Sequence, residues 1–431
     1  MAGIYIHIPF CKRKCHYCNF FSLASQKLKS PFLTALKQEI SMNRDYLGGE
    51  PVNTLYFGGG TPSLCDPAML QEVMEMTSFP DIGNTSPPDI GNTSPPDHRN
   101  TSPPDHRNTS PPDPSPQGEG RSPVPGFKST SQGEGRNFFP NWREITLEIN
   151  PDDVTKAYVV ELQKTWFNRV SIGIQSFFEE DLKYLNRTHS AEQALRAVKL
   201  LQDAGYSNIS IDLIYGIPTS NQARWQKNLD IAFSLDVPHI SAYALTVEVK
   251  TPLAWMIERQ KSAPVSDELQ EQQFRWLIKE ATANGYQQYE ISNFCKPGHH
   301  ALHNTNYWKG IPYLGLGPSA HSYNGSARRW NISNLSSYID GMAKGQPVYE
   351  EEILSSEQKY NEYVMTSLRT MWGCNLKKIS YELQITNYKL IMKRAASFVQ
   401  QGWLTEHGGV FFLTDEGKLF ADLIASELFV T

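Results

Sequence analysis

The chain has 431 residues, of which 39% are hydrophobic and 20% charged, with a formal net charge of -5. That length suits two or three domains with a large core, and the acidic balance argues against a general polyanion-binding surface, so nucleic acid is not an expected partner. No stretch approaches the roughly 18 apolar residues that cross a bilayer, and the first residues lack the basic and then apolar run of a signal peptide, so no stable membrane insertion is expected.

Ile4 to Ile8 reads as a first strand, ended by Pro9. The loop that follows holds Cys11, Cys15 and Cys18, half of the six cysteines, in the spacing Cys-x3-Cys-x2-Cys. Three thiolates on one tight loop can hold three corners of a [4Fe–4S] cubane and leave the fourth iron without a protein ligand. An open iron can take a small chelating molecule. The bland alternative is a structural zinc site with His7 or His16 as fourth ligand. Such sites usually pair ligands across two knuckles, and no second knuckle appears. Cys65, Cys295 and Cys374 are far apart in sequence, a usage that suits a reducing cytosol.

Ser30-Pro31 predicts an N-cap with proline at the first helical position, and Gly48-Gly49 the stop of that helix. Val52 to Phe57 predicts a second strand running into Gly58-Gly59-Gly60-Thr61-Pro62, and Asp66-Pro67 opens the next helix. Then the composition breaks: residues 81 to 112 are four variants of an octapeptide beginning Asp81-Ile-Gly-Asn-Thr-Ser-Pro-Pro88. Proline, glycine and serine dominate as far as Arg136. Such a segment cannot bury enough apolar area to offset its ordering entropy, so 81-136 reads as a disordered low-complexity insertion in one surface loop.

Regular patterning resumes with a strand from Ile145 to Ile149 that carries Glu148. A strand from Arg169 to Ile174 runs into Gln175, Ser190 to Gln193 reads as a capping box, and a strand from Ser207 to Tyr215 contains Asp212. A helix near Ala223 to Ser234 and a strand near His239 to Leu245 complete the alternation. Strand–helix repeats of this length predict a parallel sheet with crossover helices, an α/β class. Polar residues at the C-terminal ends of successive strands are where such folds place their chemistry. A helix from Asp267 to Asn284 and loops rich in glycine and aromatic residues follow. The last part shows helical spacing from Ser356 to Met371, a helix near Asn387 to Gln401, a hairpin about Gly408-Gly409 and a final helix from Thr414. This suggests a small winged-helix-like C-terminal domain without a strong basic cluster.

The cysteine loop and its flank, Tyr5-Ile-His-Ile-Pro-Phe-Cys11, resemble the signature of radical S-adenosylmethionine (SAM) proteins. Within them the chain is similar to oxygen-independent coproporphyrinogen dehydrogenases and to HemW-type heme chaperones. The resemblance implies a partial (β/α)6 barrel made of residues 1-80 and 137-250, a barrel extension over 251-350 and the C-terminal domain over 351-431. It implies a [4Fe–4S] cluster on Cys11, Cys15 and Cys18, with SAM on the fourth iron. Tyr5 is then expected against SAM or the cluster. Gly59, Gly60 and Thr61 are expected at the methionine end, where residues without a Cβ let the backbone approach the ligand. Glu148, Gln175, Arg187 and Asp212 look like the remaining SAM contacts, with Arg187 suited to the carboxylate. His303-Asn304-Thr305-Asn306-Tyr307-Trp308 resembles the His-Asn-x-x-Tyr-Trp motif of the heme chaperones. It implies His303 as iron ligand, with His299, His300 and His321 as alternatives nearby. The bland reading of that stretch is aromatic packing around a hydrogen-bonded histidine.

Two departures separate the chain from the coproporphyrinogen dehydrogenases. Their pattern looks like Cys-x3-Cys-x2-Cys-x-Cys, whereas Phe20 stands at the fourth position here, and their extra N-terminal segment is not expected when the first strand begins at residue 4. The expected function is therefore that of a cytoplasmic heme chaperone with cluster, SAM and heme, passing heme to an apo-protein. The rival is the decarboxylating enzyme.

Overall fold

The computed structural model describes residues 1–78 and 142–430; the repeat segment expected as an insertion lies outside these described residues. Six strands stand side by side in chain order, each parallel to the next: β1 (Ala2–Ile8), β2 (Val52–Gly59), β3 (Glu144–Ile149), β4 (Arg169–Gln175), β5 (Ile209–Tyr215) and β6 (His239–Ala244). Helices Lys29–Met42, Pro67–Thr77, Lys156–Leu162, Ala191–Asp203 and Gln222–Ser234 lie in the crossovers. This is the α/β alternation read from the pattern.

The sheet extends at both edges. β7 (Gln287–Glu290) and β8 (Asn293–Cys295) add antiparallel to β6. β9 (Tyr313–Leu316) pairs parallel with the other side of β1, and β10 (His321–Tyr323), β11 (Ala327–Asn331) and β12 (Tyr349–Ile353) follow antiparallel. The sheet stays open, with β12 and β7 at its ends, as a partial barrel must.

Period-two alternation divides the faces of the central strands. Ile4, Ile6 and Ile8, then Leu55 and Phe57, Ile145 and Leu147, Val170 and Ile172, and Ile209 and Ile211 all join the main hydrophobic core. The opposite face carries Tyr5, Thr54, Tyr56, Thr146, Glu148, Ser171, Ser210, Asp212 and Ser241. Parallel strands covered on both faces usually read as continuous apolar runs. Here one face is polar, and the single half-buried interior position of β1, β2, β3 and β5 is Tyr5, Tyr56, Glu148 and Asp212 in turn. The polar face is therefore where a ligand can be met.

Residues 356–430 build a second hydrophobic core, with Tyr360, Leu368, Ile391, Phe398, Phe411 and Ile424 at its centre. It joins four helices to a hairpin of β13 (Leu404–His407) and β14 (Val410–Leu413). Caps were legible at Asp66, whose side chain accepts from Ala68 N, and at the Ser190–Gln193 capping box. Ser30 is a correction: the first helix starts at Lys29, with Leu28 at the N-cap and no side-chain cap. No helix among the described residues is long and apolar enough to cross a membrane.

Candidate functional site

The C-terminal ends of β1 to β6 open on two adjoining cavities. The smaller, ≈ 450 Å³, is lined by Cys11, Cys15 and Cys18, by Gly59, Gly60 and Thr61, and by Glu148, Gln175, Arg187 and Asp212. The larger, ≈ 1380 Å³, is lined by Tyr5, His7, Tyr56, Tyr307, Trp308 and His321 among others. Asn19, Phe20, Glu148 and Tyr243 line both.

The cysteine loop is tied at several points. Cys11 N donates to Leu23 O at 3.0 Å, Thr61 N to Phe10 O at 2.6 Å, and His16 N to Leu185 O at 3.2 Å. Lys12 pairs with Asp152 at 2.8 Å and also with Asp153, which clamps the loop onto the end of β3. Neither expected zinc histidine is aimed at the cysteines. His7 bonds Tyr5 Oη at 3.2 Å and Phe21 O at 2.8 Å, while His16 Nδ1 bonds Tyr184 O at 2.7 Å. No three His, Cys, Asp or Glu side chains among the described residues are gathered tightly enough to chelate a single ion. The three thiols instead rim one concave space, the arrangement that a body larger than one ion requires.

Most polar neighbours are placed by strands, and Arg187 by the loop after the helix Glu179–Tyr184. Gly59 has φ +107, and a Cβ there would lie 2.6 Å from the His7 ring, so glycine is required by both conformation and space. Gln175 is buried with φ 71, a left-handed conformation that costs a non-glycine residue of order 1 kcal/mol or more and tends to gather at functional sites. Arg187 Nη2 donates to Asn150 Oδ1 and to Gly173 O, both at 2.7 Å, and Nη1 approaches Cys15 Sγ at 3.4 Å. Its Nε is buried without a partner, so the guanidinium is fixed in place with one donor unspent. Glu148 accepts from Tyr56 Oη at 2.8 Å and Gly59 N at 3.2 Å. Cradle, spare donor and paired carboxylates fit a ligand with a carboxylate at one end and cationic groups elsewhere.

A model of the radical SAM superfamily matches residues 125–232. Over that stretch the chain is similar to radical SAM proteins. The heme chaperone HemW of Bacillus subtilis is 27% identical over 98% of this chain and 97% of its own length. The heme chaperone HemW of Escherichia coli is 29% identical over 99% of this chain and 98% of its own length. Among solved structures, the radical SAM enzyme coproporphyrinogen III oxidase (HemN) of Escherichia coli superposes with a TM-score of 0.74 at 19% identity, covering 100% of this chain and 90% of that one. The last likeness shows the fold.

Ten of the predicted site residues converge on the smaller cavity. Tyr5 does not: it lines the larger one, held by His7. His303 lines neither cavity. It is 1% exposed, its Nδ1 bonds Thr54 Oγ1 at 2.9 Å, its Nε2 bonds Tyr307 Oη at 2.8 Å, and it stacks on Tyr56. Both of its ring nitrogens thus have partners within the chain. Its partners Asn304, Tyr307 and Trp308 do face the larger cavity. The physical reason is helical geometry: in Leu302–Trp308 the first turn is pinned by Glu144, which accepts from Leu302 N and His303 N at 2.9 Å each, and this turns His303 inward. Asn150 and Tyr243 were missed. Asn150 lies two residues beyond Glu148 and Tyr243 lies within the expected strand His239 to Leu245, and those positions were the available signal.

Burial pushes the Glu148 carboxyl up to about 7, with Asp212 adding to the rise, and burial pushes Asp212 itself up to about 6. A carboxyl raised in the folded state contributes stability below its unfolded value, near 4.5, and loses it as pH rises through about 7. A Glu148→Gln variant of the ligand-free protein should therefore gain on the wild type by up to about 1.4 kcal/mol per pH unit between those limits. Urea unfolding at pH 5.0, 6.0 and 7.5 measures this. A constant gap would mean that Glu148 is ionised throughout.

Proposed function

We propose that the chain is a cytoplasmic heme chaperone. Cys11, Cys15 and Cys18 hold a [4Fe–4S] cluster, the smaller cavity holds SAM, and the larger takes heme for transfer to an apo-protein. When bound, the cluster supplies an open iron for the amino and carboxylate groups of SAM. The chain's own residues do the rest. Gly59, Gly60 and Thr61 admit the methionine end. Arg187 offers its unspent donor to the carboxylate. Glu148 and Asp212 face the cationic and hydroxyl groups, and Gln175 lines the same space. Tyr5, Tyr56 and Phe20 separate this space from the larger cavity.

The observation that carries the reading is the pair of adjoining cavities. The second is too large for SAM alone and is lined by Tyr307, Trp308, Tyr313, Tyr323 and Trp372, aromatic faces suited to a flat macrocycle. Whole-length likeness to heme chaperones, at 27% to 29%, supports it. The rival reading, decarboxylation of coproporphyrinogen III, is supported by the shared fold. Phe20, at the position of that enzyme's fourth cysteine, weighs against it.

One anaerobic preparation with reconstituted cluster decides between them. The expected result is uptake of hemin with a Soret band, delivery of that heme to an apo-hemoprotein and no protoporphyrinogen from coproporphyrinogen III. Steady protoporphyrinogen formation would overturn the chaperone reading.

A further inference from the structure

We infer that His321 ligates the iron of the bound porphyrin, and that Arg328, on the adjacent strand, anchors one of its propionates. This rests on the reading that the larger cavity takes heme.

Five histidines lie in or near this region, and their partners separate them. His7 lines the cavity, but both its nitrogens are engaged, by Tyr5 Oη and Phe21 O. His303 is bound on both sides and does not line the cavity. His299 and His300 are not among its lining residues, and the His300 ring packs against Tyr289 and Trp372. His321 lines the cavity, and its ring makes no hydrogen bond to any described residue. An axial ligand needs a neutral imidazole with a free lone pair.

The backbone around His321 is held firmly. A Cβ on Gly315 would sit 1.9 Å from His321 O, so β9 and the start of β10 touch as only glycine permits. Ser319, two residues before His321, has φ 67. Asn331 N donates to Ala320 O at 2.8 Å. The buried carboxylate of Glu39 accepts from Gly317 N at 2.7 Å, Asn331 Nδ2 at 2.6 Å and Tyr338 Oη at 2.6 Å, which pins the turn leading to His321. A ligand that must fix one metal atom benefits from such a rigid support.

The strand register supplies the rest. His321 and Tyr323 share one face of β10, and Tyr323 stands opposite Arg328 on β11. The guanidinium of Arg328 lies 5.8 Å from the centre of the Tyr323 ring and donates to Glu362 at 2.8 Å, while its Nε is buried without a partner. Imidazole, flat phenol and a cation with a spare donor thus meet at one hairpin. An iron porphyrin offers the matching metal, ring and carboxylates.

The test uses the full chain with two probes, hemin and metal-free protoporphyrin IX. The second fills the same space and carries the same propionates, but has no iron. His321→Gly should bind hemin more weakly by about tenfold or more, with a shifted Soret band and altered ferric EPR signal, and added imidazole should restore the wild-type spectrum. Its affinity for protoporphyrin IX should be unchanged. Arg328→Met should weaken both probes alike. An unaltered hemin spectrum in His321→Gly, with protoporphyrin IX still bound, would assign the iron to another ligand. Loss of both probes in His321→Gly and in the milder His321→Gln would also overturn the ligand role, because the residue would then shape the cavity. Unchanged binding in Arg328→Met would remove the anchor. Wild-type protein that takes up neither probe would remove the heme reading itself, and this inference with it.

Discussion

Alanine at Cys11, Cys15 and Cys18 together is expected to bring the iron and acid-labile sulfide of the reconstituted protein to background. In the proposed site each thiolate would hold one corner of the cubane, and a soft iron–sulfur core has no substitute thiolate on this loop. The remaining cysteines, Cys65, Cys295 and Cys374, are buried singly, and burial pushes Cys374 up to about 12, far from a thiolate at neutral pH. The fold should survive the exchange. All three loop cysteines are only half-buried, and the loop is held by backbone bonds and by Lys12. Stability of the metal-free variant should thus stay within about 1 kcal/mol of the metal-free wild type. Iron and sulfide measured beside a urea titration check both parts. Undiminished iron and sulfide in the triple variant would remove the cluster and, with it, the basis for SAM.

The second large effect is expected at His303, in stability and not in the heme spectrum. His303→Ala deletes a fully buried ring, strips Tyr307 Oη of its partner and leaves Thr54 Oγ1 with only a long bond from Asn306 Nδ2 at 3.5 Å. A buried void with a newly unpaired hydroxyl costs about 2–5 kcal/mol. Burial also holds this histidine down to about 3, against 6.5 when exposed. A histidine depressed on folding contributes stability above its unfolded value and loses it as pH falls below 6.5. The gap between wild type and His303→Ala should therefore be wide at pH 7.5 and narrower at pH 5.5 in urea unfolding. Protein that remains folded should keep the wild-type Soret band when loaded with hemin. Loss of that band with little change in stability would return His303 to the iron.

Most of the cysteine cavity could be read from the linear chain, because most contributing residues sit in or just past a strand with a strong pattern. Alternating isoleucines in Ile4–Ile8 and in Ile145–Ile149 mark the core face, and that alternation forces Tyr5 and Glu148 to the opposite side. The glycine run after β2 and the cysteine spacing carry their chemistry locally, so ten residues scattered from Cys11 to Asp212 were expected together from the sequence. Element ends were less legible. The expected cap at Ser30 fails because Leu28 begins the turn instead, a choice made by packing of Phe32, Leu33 and Leu36 against the sheet.

What the chain alone determined is the alternating α/β order, the polar face of the strands and the loop of three thiols, since spacing and periodicity are properties of neighbours in sequence. What only the tertiary structure decided is which histidine beside the larger cavity keeps its ring without a partner. A motif names His303, yet hydrogen bonds from Thr54, 249 positions away, and from Tyr307 take up both its nitrogens. His321, with no motif to recommend it, keeps its ring open because β9 to β11 fold back beside β1. The valence of a side chain is spent by partners that arrive from distant parts of the chain, and no local pattern records who they are.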